Sequence, residues 1–175
     1  MHNALRVAED AAVVDAISGG RLILGVGLGY RLEEFNVLGI DRKERVSHME
    51  EGIEVMRKAW AQDRFSYTGE HYPLQNLTVT PKPVQPGGPP IWMAARGVKP
   101  ARRAAKFACS LALAAGGGFE EHAVWERELR SQGRDLRDFQ VMNYYDTCVT
   151  DDVEATKAEL MQAEGPRPEG PWGCC

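Results

Sequence analysis

The sequence predicts an α/β fold built around a parallel sheet. Apolar segments of strand length alternate with segments whose apolar residues recur every three or four positions, and this alternation is typical of right-handed βαβ units. The chain has 175 residues, of which 43% are hydrophobic and 26% are charged. This composition suits one globular domain with a single core.

The N-terminal elements are indicated by apolar spacing and by glycine. Residues 3–17 carry apolar side chains at helical spacing, and Ser18 followed by two glycines supplies a helix stop. Residues 21–29 are almost continuously apolar, which predicts a strand buried on both faces of the sheet. A polar loop containing Glu33 and Glu34 is expected to follow.

A second helix and a hairpin come next. Asp41 with Glu44 three residues later has the spacing of a capping box, and it opens a helix expected to end near residue 62. Residues 64–80 predict a hairpin, because aromatic and apolar residues flank a turn at residues 68–70.

The C-terminal half repeats the strand and helix pattern after a proline-rich, extended stretch. Strands are expected at residues 91–95, 109–114 and 139–149, and helices at residues 100–107, 119–131 and 151–162. Asp151 and Glu154 have the capping-box spacing for the last helix.

The number of strands bears on the architecture. The pattern contains about four βα units and one hairpin, whereas a closed (β/α)8 barrel needs eight strands and typically ~250 residues. The sheet is therefore either small and open or part of an incomplete barrel. The chain starts with a helix, and residues 164–175 are too rich in proline and glycine for a βα unit, so we expect a partial barrel. The predicted domain spans residues 1–163, and residues 164–175 form a disordered tail.

Composition argues against several kinds of partner. The formal net charge is −4 and the basic residues are scattered, so no nucleic acid partner is expected. The longest apolar run, residues 22–28, is far shorter than the ~20 residues of a membrane span, so no membrane association is expected. Charged residues precede any apolar stretch at the N-terminus, so we expect no signal peptide and a cytoplasmic location.

Cysteine and histidine are dispersed, with spacings that fit neither an ordinary disulfide nor a zinc site. The cysteines are Cys109, Cys148, Cys174 and Cys175, and the histidines are His2, His48, His71 and His122. We therefore predict reduced thiols and no metal. His71 is expected to be exposed at the hairpin turn, and the sequence places no catalytic partner beside His2 or His48, so the catalytic residues stay unassigned.

The first candidate site is the glycine run at Gly25, Gly27 and Gly29. A Rossmann fingerprint would need a glycine where Tyr30 stands and a helix directly after it, so a dinucleotide site of that kind is disfavoured. Two interpretations stay open. The glycines relieve crowding between neighbouring elements, or Gly29 clears space for a planar ligand at the carboxyl end of the strand.

The second candidate site is the turn that follows residues 91–95. A strand that ends in small residues and leads into a helix N-terminus presents free N–H groups and the positive end of the helix dipole to an anion. Arg96 either adds a contact to a phosphate or is a solvated surface residue.

Several motifs occur together between residues 2 and 114. They are the run SGGRLILGVGLGYRLEEF at 18–35, Leu38-Gly39, DRKER at 41–45, the helix ending at Trp60, Tyr67-x-Gly69-x-x-Tyr72, Thr80-Pro-Lys-Pro83 and Gly88-Pro-Pro-Ile-Trp92. In this combination the chain resembles the bacterial luciferase-like flavin-dependent oxidoreductase family.

The resemblance implies a (β/α)8 barrel that binds FMN or, in many relatives, the 5-deazaflavin coenzyme F420 at the carboxyl ends of its strands. The residues that match the flavin-lining strand end are Leu28, Gly29 and Tyr30, and those that match the phosphate turn are Ala95, Arg96, Gly97 and Val98. Both segments coincide with the two candidate sites. By this alignment the chain supplies roughly the fourth to seventh of the eight strands.

The activity implied is oxidation of a small organic substrate, with reduced FMN and oxygen or by hydride transfer with the deazaflavin. A flavin reductase is the implied partner, and the full-length protein is expected to be a homo-oligomer. The alternative is a non-catalytic or inactive half barrel that binds flavin or pairs with another subunit. Four strands leave two sheet edges unpaired, so we expect the chain alone to be unstable, to dimerise or to be inactive.

Three departures from the family pattern accompany the resemblance. Arg96-Gly97 stands where relatives commonly have a serine or a second glycine, and Tyr30 stands where some deazaflavin enzymes have a catalytic glutamate. The strands that carry the active-site histidine in several relatives have no counterpart in this sequence.

Overall fold

The computed structural model describes residues 2–113, 118–144 and 149–164, with side chains described as far as residue 159. The helices are α1 Ala4–Ser18, α2 Leu32–Val37, α3 Arg45–Ala61, α4 Val98–Lys106, α5 Phe119–Ser131 and α6 Val153–Glu164. The strands are β1 Leu24–Val26, β2 Phe65–Tyr67, β3 Leu74–Leu77, β4 Ile91–Ala95, β5 Ser110–Leu113 and β6 Val141–Asn143. Within these ranges no helix is long and apolar enough to cross a membrane.

Four strands form one sheet in the order β1-β4-β5-β6, with every neighbouring pair parallel. The register aligns Gly25 with Trp92, Ala94 with Ala112, and Ala112 with Met142. Strands β2 and β3 form a separate antiparallel hairpin. The predicted parallel sheet and hairpin insertion are therefore confirmed, and all four carboxyl ends lie at one edge of the sheet.

Helices cover one face of the sheet, and the core lies between the two layers. Met93 and Leu111, from the two central strands, are 1% and 0% exposed. Ala101, Ala104 and Ala105 of α4 are fully buried against this layer. Their small side chains allow the helix to approach the strands closely, as dense packing requires.

The opposite face of the sheet is open to solvent. Gly25 and Ala94 on this face are exposed, Ala112 is half-buried, and Met142 on β6 is 46% exposed. The register aligns Ala94, Ala112 and Met142 across β4, β5 and β6, and it places Gly25 beside Trp92, which is half-buried. In a closed barrel this is the face that turns towards the barrel axis.

Helix α1 is capped at both ends and packs against α3. The Asn3 side chain accepts a hydrogen bond from the Leu5 N–H at 3.0 Å, and Gly19 ends the helix in a left-handed conformation with φ 65°. The indole N–H of Trp60 donates to the carbonyl oxygen of Ala8 at 3.0 Å, which joins the two helices.

A buried carboxylate joins α1 to the proline-rich stretch. Asp15 is 0% exposed, and its carboxylate accepts the backbone N–H of Gln85 at 2.9 Å and the side-chain amide of Gln85 at 2.7 Å. Burial by itself raises the pKa of Asp15, but these hydrogen bonds outweigh burial and hold the pKa below its usual value.

Three expectations for the N-terminal half are wrong. The polar loop expected after β1 is helix α2, because Phe35 on it is 1% exposed and anchors that turn in the core. Strand β1 is short and is not buried on both faces, since Leu24 and Val26 are half-buried and Gly25 between them is exposed. Asp41 accepts the Lys43 N–H at 2.8 Å and caps a 3-10 turn, so α3 begins later, at Arg45.

The hairpin is also longer at its turn than expected. Tyr67 pairs with Leu74, so residues 68–73 all belong to the connection rather than residues 68–70 alone. His71 lies within this connection. It is half-buried, whereas the sequence predicted that it would be exposed.

Near the C-terminus the cap of α6 is Asp152, which accepts the Ala155 N–H at 2.9 Å, rather than Asp151. Residues 145–148 of the expected last strand and residues 165–175 of the expected tail lie outside the described residues.

Candidate cofactor site

The two segments predicted to bind a flavin follow neighbouring strands. Strands β1 and β4 are parallel and adjacent, and Val26 is aligned with Met93. Leu28 and Ala95 come two residues after Val26 and Met93. The segments 28–30 and 95–98 therefore lie side by side at the carboxyl edge of the sheet. Sequence alone could place each segment at a strand end, but only the strand order places them next to each other.

The open face of the sheet forms a floor between these segments. A Cβ atom built on Gly27 would lie 3.7 Å from the Cβ of Ala94, an ordinary van der Waals contact, and one built on Gly25 would meet nothing within 4 Å. Gly25 and Gly27 therefore do not relieve crowding between neighbouring elements, which was one of the two open interpretations. Their effect is to leave a low surface on which a planar ring system can lie.

The loop after β1 turns away at Gly29. Its φ of 72° lies in the left-handed region that favours glycine. Tyr30 follows and is 59% exposed, and the guanidinium of Arg31 lies 5.8 Å from the centre of its ring. The Tyr30 ring is therefore exposed in the loop that follows the carboxyl end of β1.

The turn after β4 begins helix α4. Gly97 is its N-cap with φ 94° and ψ 167°, a conformation that L side chains rarely adopt, and Val98 is the first helical residue. A helix start leaves its first N–H groups without partners inside the helix, and Pro100 has no N–H to contribute. The N–H groups of Val98 and Lys99 therefore have no acceptor inside the helix, and the preceding Arg96 is exposed.

A carboxylate missed by the sequence analysis contacts the same turn. Glu121 near the start of α5 accepts the Gly97 N–H at 3.0 Å and the Gly118 N–H at 3.1 Å. Hydrogen bonds from its own backbone N–H and from those of Gly118 and Gly97 hold the pKa of Glu121 below its ordinary value, against the opposing effect of burial. Glu121 lies three residues after Gly118, the N-cap of α5, and its contact with Gly97 joins residues 24 positions apart, so no local pattern indicated it.

A cavity of about 410 Å³ lies beside β1, between the start of α1, the start of α3 and the hairpin connection. Gly25, Gly27 and Leu28 of the first candidate site line it, whereas residues 95–98 do not. Its polar lining includes Arg45, His48 and His71. The sequence indicated no shared role for these residues, because the cavity joins Arg45 and His48 of α3 to His71 of the hairpin connection, more than 20 residues away.

His48 and His71 stack on each other within this lining. Their ring centres are 3.6 Å apart with an interplanar angle of 21°, and His71 Nε2 lies 2.8 Å from the hydroxyl of Ser47. Burial, and then the charge of His71, lower the pKa of His48. The Glu51 carboxylate accepts the His71 N–H at 3.0 Å and so holds the hairpin connection in place.

The same pair comes near a third potential metal ligand. One ligand atom from each of Glu44, His48 and His71 lies within 4.8 Å of the others. The two rings are nearly parallel, however, and the lone pairs of an imidazole lie in its ring plane. They therefore do not converge on one ion, and this arrangement is a histidine stack.

The comparison with family models decides the family. The model described as luciferase-like monooxygenase matches residues 1–168. The chain belongs to the luciferase-like monooxygenase family.

Curated relatives within this family use two cofactors. An F420-dependent glucose-6-phosphate dehydrogenase from Amycolatopsis mediterranei is 32% identical over 122 residues, which is 68% of this chain and 36% of that relative. An FMNH(2)-dependent dimethylsulfone monooxygenase from Pseudomonas putida is 34% identical over 88 residues, which is 49% of this chain and 24% of that relative. The cofactors implied by the sequence resemblance, FMN and F420, are those of its homologues.

Solved structures give the luciferase-like fold. The monooxygenase RslO1 from Streptomyces bottropensis superposes with a TM-score of 0.81 at 22% identity, covering 93% of this chain and 51% of that one. An F420-dependent secondary alcohol dehydrogenase superposes with a TM-score of 0.72 at 23% identity, covering 81% and 44%. The expected fold class, a (β/α)8 barrel present in part, is confirmed. The chain spans about a third of the length of the first of these curated relatives and half that of the first structure.

Proposed function

We propose that this luciferase-like chain binds the flavin or deazaflavin cofactor of an oxidoreductase that acts on a small organic substrate. The observation that carries the proposal is the adjacency of the two predicted segments, with Gly25, Gly27 and Ala94 on the open face beside Trp92. The family supplies the reaction class, and its members named above are oxidoreductases.

Each segment has a distinct role in this proposal. Leu28, Gly29 and Tyr30 lie along the ring system, where glycine leaves space and the exposed tyrosine offers an aromatic contact. The segment at residues 95–98 holds the phosphate through N–H groups at the start of α4. The open face fits a planar ring system, because Gly25 and Gly27 have no Cβ atom to project from it.

The cofactor supplies the redox chemistry, which is hydride transfer for F420 or oxygen activation for reduced FMN. The residues of this chain bind and orient it and limit access of water from the covered side of the sheet. With reduced FMN the partner is a flavin reductase, in keeping with the FMNH(2)-dependent relative. The cytoplasmic location and the domain limits 1–163 and 164–175 stay predictions.

A second candidate function is pairing with other strands. Within the described residues, β1 and β6 each pair on one side only, and Met142 on β6 is 46% exposed. Two parallel edges of this kind accept further strands. We propose that a second copy or a further part of the barrel covers them, and light scattering of the purified chain measures whether copies associate.

Titration of the purified chain with FMN and with F420, followed by fluorescence, tests cofactor binding. We expect saturable binding of at least one of them. The matched variant is Ala94→Leu, which raises the floor by a bulky side chain on the exposed face and leaves the covered core unchanged. Loss of at least tenfold in affinity in this variant, with an unchanged unfolding midpoint, supports the site. Equal binding by the variant, or no binding by either protein, contradicts it.

A further inference from the structure

The turn proposed to hold the phosphate already contacts a negative charge of the chain itself. Glu121 places one carboxylate oxygen 3.0 Å from the Gly97 nitrogen and the other 3.1 Å from the Gly118 nitrogen, so one side chain joins the starts of α4 and α5. Three backbone N–H groups hold its pKa low, and the group is therefore ionised at neutral pH.

This contact has two opposite effects on a bound phosphate. It fixes Gly97 in its left-handed conformation and so shapes the turn. It also takes up the Gly97 N–H and leaves those of Val98 and Lys99 as the backbone donors of the first turn, since Pro100 has none. A phosphate on these donors comes close to the carboxylate and is repelled by it.

The size of that repulsion depends on the charge of the ligand. A phosphate monoester such as that of FMN has a second pKa near 6 and carries nearly two negative charges at neutral pH. The phosphate of F420 is a diester and carries one charge. Since Coulomb energy is proportional to charge, the penalty for the monoester is about twice the penalty for the diester.

We propose that Glu121 is a specificity-determining residue that biases the turn towards a monoanionic phosphodiester, and therefore towards F420 over FMN. This inference rests on the proposed cofactor site and goes beyond it by choosing between the two cofactors. The Arg96 and Lys99 side chains are exposed beside the turn and attract either ligand, so they do not supply the bias.

The test is binding of riboflavin, FMN and F420 at pH 7.5 by the unaltered chain, by Glu121→Gln and by Glu120→Gln. Glutamine keeps an oxygen for the Gly97 N–H and removes the charge. Glu120→Gln is the matched control, because it removes a charge from the neighbouring, exposed position. The hydrogen bonds to Gly97 and Gly118 come from Glu121 and are kept in this control. Thermal unfolding of each variant checks that it folds.

For Glu121→Gln we expect FMN to bind about tenfold more tightly and F420 about threefold more tightly, with riboflavin, which has no phosphate, changing less than about twofold. The control should change none of the three by more than about twofold. If all three ligands change by one factor, or if FMN binds more weakly, Glu121 is a helix cap only and the inference is wrong. If no flavin binds to any of the proteins, the proposed function fails and the inference fails with it.

A measurement without substitution gives the same answer. FMN affinity of the unaltered chain should rise several-fold as the pH falls through about 6, because the monoester becomes a monoanion. Riboflavin, which has no phosphate, is measured in parallel and should show no such rise, so an equal rise for riboflavin would refute the charge argument.

Discussion

The two faces of the sheet differ although they share one backbone. On the face covered by helices, Met93 and Leu111 are 1% and 0% exposed. On the other face, Gly25 and Ala94 carry almost no side chain, and Met142 is 46% exposed. The covered face stabilises the fold through buried apolar area, whereas the open face contributes little to stability and leaves room for a ligand.

This difference separates stability from function along single strands. In a parallel sheet, alternate residues of each strand point to opposite faces, so stability and binding can be changed independently by neighbouring substitutions. Substitutions on the covered face should therefore change unfolding, and those on the open face should change binding.

The largest expected effect on stability is at the centre of the covered face. Leu111→Ala should lower the free energy of unfolding by about 3 kcal/mol, because it leaves a cavity in a site with 0% exposure. Met142→Ala on the open face should change it by less than about 0.5 kcal/mol. Urea unfolding measures both, and similar losses in the two variants would show that the open face is covered in solution.

The next largest expected effect on the free energy of unfolding is at Asp15, the buried carboxylate of α1. Asp15→Asn should lower the free energy of unfolding at pH 7 by about 2 kcal/mol, because charge-assisted hydrogen bonds to Gln85 are lost. The pKa of Asp15 is lowered in the fold, so its stabilisation is present above the unfolded value of about 3.9 and is lost as the pH falls.

Urea unfolding between pH 3 and pH 7 measures this dependence. The unaltered chain should lose stability towards low pH more steeply than the variant. Equal slopes for the two proteins would mean that other carboxylates account for the acid sensitivity.

The same substitution, alanine to leucine, gives a direct comparison when it is made once on the covered side of the sheet and once on its open face. Ala104→Leu, at a helix position with 0% exposure, should cost about 1–3 kcal/mol by overpacking. Ala112→Leu, on the open face, should leave the unfolding midpoint nearly unchanged and weaken flavin binding. A large loss of stability in Ala112→Leu would indicate that the half-buried side of β5 packs against another part of the chain or another copy.

The smallest effect is a difference in thiol reactivity. Cys109 is 0% exposed, and burial raises the pKa of its thiol to about 11, against the opposing effect of Arg57. Labelling of Cys109 by a thiol reagent, followed by mass spectrometry of the peptides, should therefore occur only when the chain unfolds. Rapid labelling in the native chain would contradict the burial of this strand end.

The alternation of elements could be predicted because it depends on local patterns. The helix over Ala4–Ser18 and the helix over Phe119–Ser131 begin and end close to where apolar spacing and glycine indicated. Helix α2 could not be predicted in this way, because it is short and is held by the burial of one side chain, Phe35. Its stability comes from tertiary packing rather than from its own sequence.

The candidate site was predicted in part for a similar reason. The sequence placed Gly29 and Gly97 at strand ends, and the structure adds that both adopt the positive φ that glycine permits. The Glu121 contact with Gly97 joins residues that are 24 positions apart, and the stacking of His48 on His71 joins two elements. Neither has a local pattern from which it could be deduced.

The sequence by itself determined the order of elements, the parallel sheet and the two glycine-containing strand ends, because period, capping and turn preferences are properties of short segments. Only the tertiary structure decided that β1 lies beside β4, that one face of the sheet is open, and that Glu121 contacts the turn at Gly97. These features depend on contacts between residues far apart in the chain, and their energies are set by packing and charge in three dimensions.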